Sequence, residues 1–359
     1  MTADRTLFIA EAGVNHNGSL ELALRLVDVA ADAGADVVKF QSFKAEQLAT
    51  AGAHKAAYQV ANTGEDGGQL DMLRRLELRP EDHHALLARC KESGIRFMST
   101  AFDEPSLALL ATLDMPAVKI PSGDVTHAPL LLRAARLGLP LIVSTGMCDL
   151  GDVEAALGVI AFALMREGMP SGRADFVAAY ADPRARAALR ERVTLLHCVT
   201  QYPAPPVAVN LRAMDTLAQA FGLPVGYSDH TLGTAVAIAA VARGARVIEK
   251  HFTLDRRMPG PDHAASLEPD ELRSLVRDIR IVEQALGSPI KAPAAAEFAN
   301  RAVARRSVVA ARPIARGESL SFDALAFKRP GNGISPIDCW DLLGRASRRD
   351  LHVDEAIEP

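Results

Sequence analysis

The sequence predicts a (β/α)8 barrel followed by a small, mixed, strand-rich unit. Three observations carry this reading. Eight short apolar runs alternate with longer amphipathic stretches between residues 7 and 286. The runs lack strict apolar–polar alternation, as strands buried on both faces of a parallel sheet do. Polar side chains gather at the C-terminal ends of all eight runs. Eight strand–helix pairs favour closure into a barrel over a doubly wound open sheet, the alternative architecture.

The runs, in order, are LFIAEAG (7–13), VVKFQ (37–41), RFMST (96–100), AVKIPSGD (117–124), LIVSTG (141–146), VTLLHCV (193–199), PVGYSD (224–229) and VIEKHF (247–252). Helical segments fall between them at 19–33, 80–93, 104–113, 128–137, 151–167, 211–221, 234–243 and 268–286. Gly34, Gly94 and Gly244 suit the residue just past a helix end. Two stretches break the rhythm. Residues 44–79, which contain NTGEDGG, are long enough to be a functional lid. Residues 168–192, rich in Ala and Arg, read as extra helix beside the barrel. The catalytic barrel is thus assigned to 1–286, a linker with one partial helical turn to 287–300, and a small domain to 301–359, where short apolar runs and Gly/Pro turns suggest strands.

Composition excludes several function classes. The 359 residues carry a net charge of −4, which argues against a nucleic-acid partner needing a basic face. No apolar run approaches the roughly 18 residues of a membrane span, and the opening residues lack a signal-peptide layout. A cytoplasmic location with no membrane partner is the expectation. Cys90, Cys148, Cys198 and Cys339 are scattered without CxxC spacing, so free thiols are expected rather than a disulfide framework or zinc ribbon. Residues 301–359 carry ten Lys/Arg against eight Asp/Glu, whereas 1–300 carry thirty against thirty-six. A mildly basic small unit on an acidic body suits docking between the two.

The polar strand ends comprise Glu11, Lys39 and Gln41, Ser99 and Thr100, Lys119 with Ser122 and Asp124, Ser144 and Thr145, His197, Ser228 to His230, and Glu249 to His251. In such barrels this rim holds the active site. His230 and His251 end neighbouring strands about 4.8 Å apart, so two imidazoles can converge on one divalent ion. With two protein nitrogens the shell stays open, which suits Lewis-acid catalysis rather than a structural site. His197 is a third ligand or, the reading preferred here, a supporting group. Lys39 and Lys119, ringed by Ser99, Thr100, Ser122 and Ser144, make a site for a small dianion, phosphate especially. A lysine Schiff base is the competing chemistry. Glu11, Asp124 and Asp262 are the carboxylates placed for acid–base work or for gripping hydroxyls, although Asp262 reads equally as a turn cap. Glu104 and Glu268 read as first-turn helix charges. In KRPGNG (328–333), Arg329 edges an irregular loop and reaches a polar ligand only if the small domain covers a barrel mouth.

Ordered blocks along nearly the whole chain, including IAEAGVNHNGS, VVKFQ, QLDMLRRLEL, FMSTAFD, KIPSGD, VSTGM, LLHCVTQYPAP, GYSDHT, EKHFTLDRRMPGPDHAAS and KRPGNGISP, resemble the sialic acid (N-acetylneuraminate) synthase family. That resemblance implies condensation of phosphoenolpyruvate with an N-acetylated hexosamine, with C–O cleavage and release of phosphate. It implies that Lys39, Thr100, Lys119, Ser122, Ser144 and Ser228 hold phosphoenolpyruvate. His230 and His251 would bind a divalent metal, Mn²⁺ first, with Mg²⁺ or Co²⁺ as alternatives. Glu11, Gln41, Tyr202 and Asp262 would grip the open-chain sugar, and Arg329 from a partner subunit would reach its acetamido group in a domain-swapped homodimer. The implied catalytic set is Glu11, Asp124, Lys119, His230 and His251. Two positions depart from the family pattern: Asp124 stands where several members have Glu, shortening the proposed water-activating carboxylate by a methylene, and Thr200 stands where others carry Asn. The small domain resembles antifreeze-like (SAF) modules, for which ice binding is weighed against covering a substrate. The expected acceptor is N-acetylmannosamine, giving N-acetylneuraminate. A related nonulosonate such as legionaminic or pseudaminic acid, made from a 6-deoxy-diacetamido hexose, is the alternative. A Schiff-base aldolase and a non-catalytic carbohydrate-binding protein complete the rival readings.

Overall fold

The computed structural model describes residues 5–64 and 67–358. The chain divides into two compact units at Gly287/Ser288. In the first, eight parallel strands close into a barrel in sequence order. They are β1 (Leu7–Gly13), β2 (Val37–Ser42), β3 (Arg96–Ala101), β4 (Val118–Ile120), β5 (Leu141–Ser144), β6 (Val193–Cys198), β7 (Val225–Asp229) and β8 (Val247–His251). Helices follow each strand. Ser19 caps the first, Leu20–Asp32, by accepting from the Leu22 N–H, and that helix turns Ala23, Leu26, Val27 and Ala30 onto the barrel.

Two levels of side chains fill the barrel. Ile9, Val37, Met98, Ala117, Ile142, Leu196 and Val247 form a closed apolar plug. Successive strand residues face opposite sides of the sheet, so the next inward position lies two residues further on. That position holds Glu11, Lys39, Thr100, Lys119, Ser144, Cys198 and Glu249. An apolar floor thus gives way, in one step along each of these strands, to a polar layer at the C-terminal mouth.

One expected strand is shorter than its run, and two irregular stretches resolve into helices. Of 117–124 only Val118–Ile120 is strand; Pro121 offers no N–H to extend the ladder, and Ser122–Asp124 turns as a short 3-10 helix. The 44–79 stretch carries helices Ala45–Leu48, Ala57–Thr63 and Gln69–Leu76. Its apolar residues Ala45, Met72, Leu73 and Leu76 pack with Val14 and Phe43. Glu65 and Asp66 of NTGEDGG lie outside the described residues. The 168–192 region forms two helices, Arg173–Ala181 and Pro183–Arg192, packed on Leu150–Met165.

The second unit pairs β9 (Ser307–Ala310) with β10 (Leu325–Lys328) as an antiparallel ribbon. Val308, Ala310, Ile314, Leu320, Leu325, Leu342, Leu351 and Ile357 make its separate core. Where one partial turn was expected before residue 301, a full helix spans Glu297–Ala304, with Glu297 accepting from the Ala294 N–H. All four cysteines are free. No helix among the described residues is long and apolar enough to cross a membrane.

Candidate active site

The polar layer is built around buried ion pairs. Lys39 Nζ lies 2.7 Å from Glu11 Oε2 and donates to Thr100 Oγ1 at 2.8 Å. Glu249, inward on β8, accepts from Lys119 Nζ at 3.1 Å and from Ser228 at 2.8 Å, and lies 3.5 Å from Lys39. Both lysines, expected as a bare cationic pair, therefore arrive countered by carboxylates. Burial pushes Glu11 up to about 7 against the pull of Lys39. Glu249 is desolvated as well, yet two ammonium groups and the Ser228 hydroxyl hold it far below the usual carboxylate range. Lys39 is likewise raised, because its two carboxylates outweigh the cost of burial.

Above this layer stand the imidazoles. The His230 and His251 ring centroids are 5.7 Å apart. His230 Nδ1 faces the Val199 carbonyl at 2.6 Å and must donate to it, leaving the lone pair on Nε2. His251 Nδ1 is buried without a hydrogen-bond partner. Burial lowers the pKa of both rings, so both are neutral at pH 7. Two neutral imidazoles, one with an orphaned buried nitrogen, fit a divalent cation. No cluster of three or more His, Cys, Asp or Glu suited to a metal occurs among the described residues, so water or substrate oxygens would complete the shell. Gly13, at φ +54°, leaves room here: a Cβ would lie 3.2 Å from His251 Cε1.

Tyr202 lies 4.2 Å, centroid to centroid, from His230 and edge-on to His251. Gln41 donates to Glu11 Oε1 at 3.2 Å. Ser122 accepts from the Gly146 N–H at 3.0 Å, and Ser144 Oγ is buried with no partner. Asp124, whose Oδ2 is also unpartnered, is pushed up to about 6 by burial. Asp262 is raised to about 6 for the same reason. Glu11, Lys39, Gln41, Thr100, Lys119, Ser122, Asp124, Ser144, Tyr202, Ser228, His230, His251 and Asp262 all border one cavity of about 500 Å³ at this mouth. Arg329 belongs to the second unit, exposed and directly after β10.

Some expected rim residues face the other way. Ser99 bonds Ser42, which bonds His83, between barrel and helices. His197 Nε2 faces the Val209 carbonyl and is no metal ligand. Thr145 donates to the Leu196 carbonyl. Asp229 pairs with Lys250 at 2.8 Å, both fully buried on the outer face. Strand alternation, counted from the apolar plug, separates these from the inward set. It also marks Glu249, the hub that sequence reasoning left without a role. Tyr58, 5.1 Å from the Tyr202 ring, was missed because its short helix carries no periodic signal.

The chain is similar to known proteins along nearly its whole length. The NeuB family model matches residues 26–291 and the SAF domain model residues 305–359. The chain is 47% identical to the N,N'-diacetyllegionaminic acid synthase of Campylobacter jejuni over 98% of its own length and 99% of the relative's. It is 46% identical to the protein of the same name from Legionella pneumophila, over 94% and 88%. Among solved structures, the N-acetylneuraminic acid synthetase of Leptospira borgpetersenii, in complex with citrate, matches with a TM-score of 0.66 and 32% identity, covering 83% of this chain and 90% of that one.

Proposed function

The chain belongs to the NeuB family, and from that membership we propose that it joins phosphoenolpyruvate to a 2,4-diacetamido-2,4,6-trideoxyhexose, making a diacetyllegionaminate-type acid. It is an enzyme, a phosphoenolpyruvate-condensing transferase of nonulosonate synthesis. Near-full-length identity of 46–47% to two diacetyllegionaminic acid synthases carries the choice of acceptor. It favours the alternative over N-acetylmannosamine, which the sequence alone put first.

In this reading Lys39 and Lys119, with Thr100, Ser122, Ser144 and Ser228, hold the phosphate and carboxylate of phosphoenolpyruvate. Glu11 and Glu249 counter the two ammonium groups and hold them aimed inward before substrate arrives. His230 and His251 would hold a divalent cation, Mn²⁺ by preference, which supplies Lewis-acid polarisation of an aldehyde oxygen. Gln41, Tyr202, Asp262 and Glu11 grip the open-chain acceptor so that its aldehyde carbon meets C3 of phosphoenolpyruvate. That attack forms the new C–C bond and leaves cationic character at C2. Water adds at C2, giving its proton to Asp124. The tetrahedral intermediate then breaks its C–O bond: phosphate departs with the bridging oxygen, its charge met by the lysines, while the C2 hydroxyl gives up its proton to leave the keto group and the alkoxide formed from the aldehyde oxygen takes one up. A homodimer that exchanges C-terminal units, bringing Arg329 of a second copy to an acetamido group, belongs to the same proposal. The Schiff-base alternative needs a neutral amine, whereas the Lys39 pKa is raised.

The test is phosphate release by purified protein with Mn²⁺, phosphoenolpyruvate and each acceptor in turn. The diacetamido-trideoxyhexose is expected to be consumed fastest. Turnover of N-acetylmannosamine without turnover of the diacetamido sugar overturns the assignment.

A further inference from the structure

The cavity has a charged floor and an apolar side wall. Lys39 and Lys119 are the only Lys or Arg bordering it among the described residues, and both lie in the floor layer. The side wall comes from the excursion after β2: Gln59 and Gln69 border the cavity, and Leu48, Met72 and Leu73 form an apolar patch on it, Met72 and Leu73 also packing on Phe43 and Val14. The excursion is pinned beside the acceptor-gripping residues. Asn62 Nδ2 donates to the Pro261 carbonyl at 2.6 Å, next to Asp262, and the Tyr58 ring lies against Tyr202.

An acceptor whose aldehyde carbon meets phosphoenolpyruvate at the floor must run its far carbons outward along this wall. Against Leu48, Met72 and Leu73 a hydroxymethyl end would lose water hydrogen bonds that these three side chains cannot replace, and a phosphate would find no cation. A methyl group loses nothing and buries apolar area. We propose that Leu48, Met72 and Leu73, closed off by Tyr58, form the specificity wall that receives the terminal methyl of a 6-deoxy acceptor and disfavours its 6-hydroxy and 6-phospho counterparts. This rests on the acceptor class proposed above.

The experiment compares kcat/KM for 2,4-diacetamido-2,4,6-trideoxymannose and its 6-hydroxy counterpart, in the wild type and in Met72→Gln and Leu48→Gln. The ratio of the two values cancels any loss of folded enzyme, and Leu48 is only half-buried. The wild type should favour the 6-deoxy sugar by about 10- to 100-fold, the range an apolar pocket supplies for one polar substituent. Each variant should cut that ratio by about fivefold or more, with the KM for phosphoenolpyruvate moved less than about twofold. A wild type that uses neither diacetamido sugar overturns the acceptor class. A wild type that uses them with a ratio near one, or a ratio unmoved in both variants, overturns the wall alone.

Discussion

Lys119 and Glu249 meet at 3.1 Å across the inside of the barrel, although they stand on β4 and β8, half the circumference apart. Glu249 also lies 3.5 Å from Lys39, so one carboxylate ties together both buried ammonium groups.

Glu249→Ala leaves two buried ammonium groups without their shared counter-charge. Removing one partner of a buried pair costs about 3–5 kcal/mol, and denaturant unfolding of the variant should show a loss of that order. Glu249→Gln, which keeps an acceptor for Ser228, should lose less. Equal stability of Glu249→Ala and wild type would mean the lysines do not depend on this carboxylate.

Asp124, raised to about 6 by burial, must be ionised to take a proton from water. The rate should therefore climb as pH rises through 6 and level off above about 7. Asp124→Asn should lose on the order of 10²–10⁴ in kcat and lose that limb of the pH profile. A variant retaining the same limb would assign it to another group.

Asp262 makes the same kind of prediction for stability. Its folded-state pKa of about 6 exceeds the ordinary 3.8, so between these values the folded chain binds a proton that the unfolded chain does not. The stability this group contributes is present in acid and is lost as pH rises through 6. Asp262→Asn cannot ionise, and at pH 7.5 it should exceed the wild type by up to about 3 kcal/mol, with the advantage gone near pH 4. Thermal unfolding at the two pH values reads the difference directly, and an Asn variant less stable at pH 7.5 would contradict it.

His230→Ala and His251→Ala should each weaken Mn²⁺ binding on the order of tenfold or more, read by calorimetry or by the spin-resonance signal of free Mn²⁺ without substrate. His197→Ala, whose ring is turned to the Val209 carbonyl, should leave Mn²⁺ affinity unchanged. Undiminished binding in either of the first two would remove the imidazole pair as the cation's seat.

Much of this was legible in the residues. The eight apolar runs overlap β1 to β8, because parallel strands buried on both faces need unbroken apolar sequence. The same property hid which side each polar end faces: Ser228 and Asp229, or Glu249 and Lys250, are neighbours in sequence and opposite in direction. Only an internal reference such as the Val247 plug decides between them. Lys39 was read as a free cation because Glu249 comes from β8, far along the chain, and the register that sets Glu11 of β1 beside Lys39 of β2 is not written in either run alone. Tyr58 and the apolar wall lay unseen in a segment whose helices are too short to show a period.

The condensation itself is tested most directly with phosphoenolpyruvate carrying ¹⁸O at its bridging oxygen, turned over by the purified enzyme with the diacetamido-trideoxyhexose. The label should leave in inorganic phosphate, with the C2 oxygen of the sugar acid drawn from solvent water. Label retained on C2 of the product would contradict water attack and C–O cleavage at this mouth of the barrel.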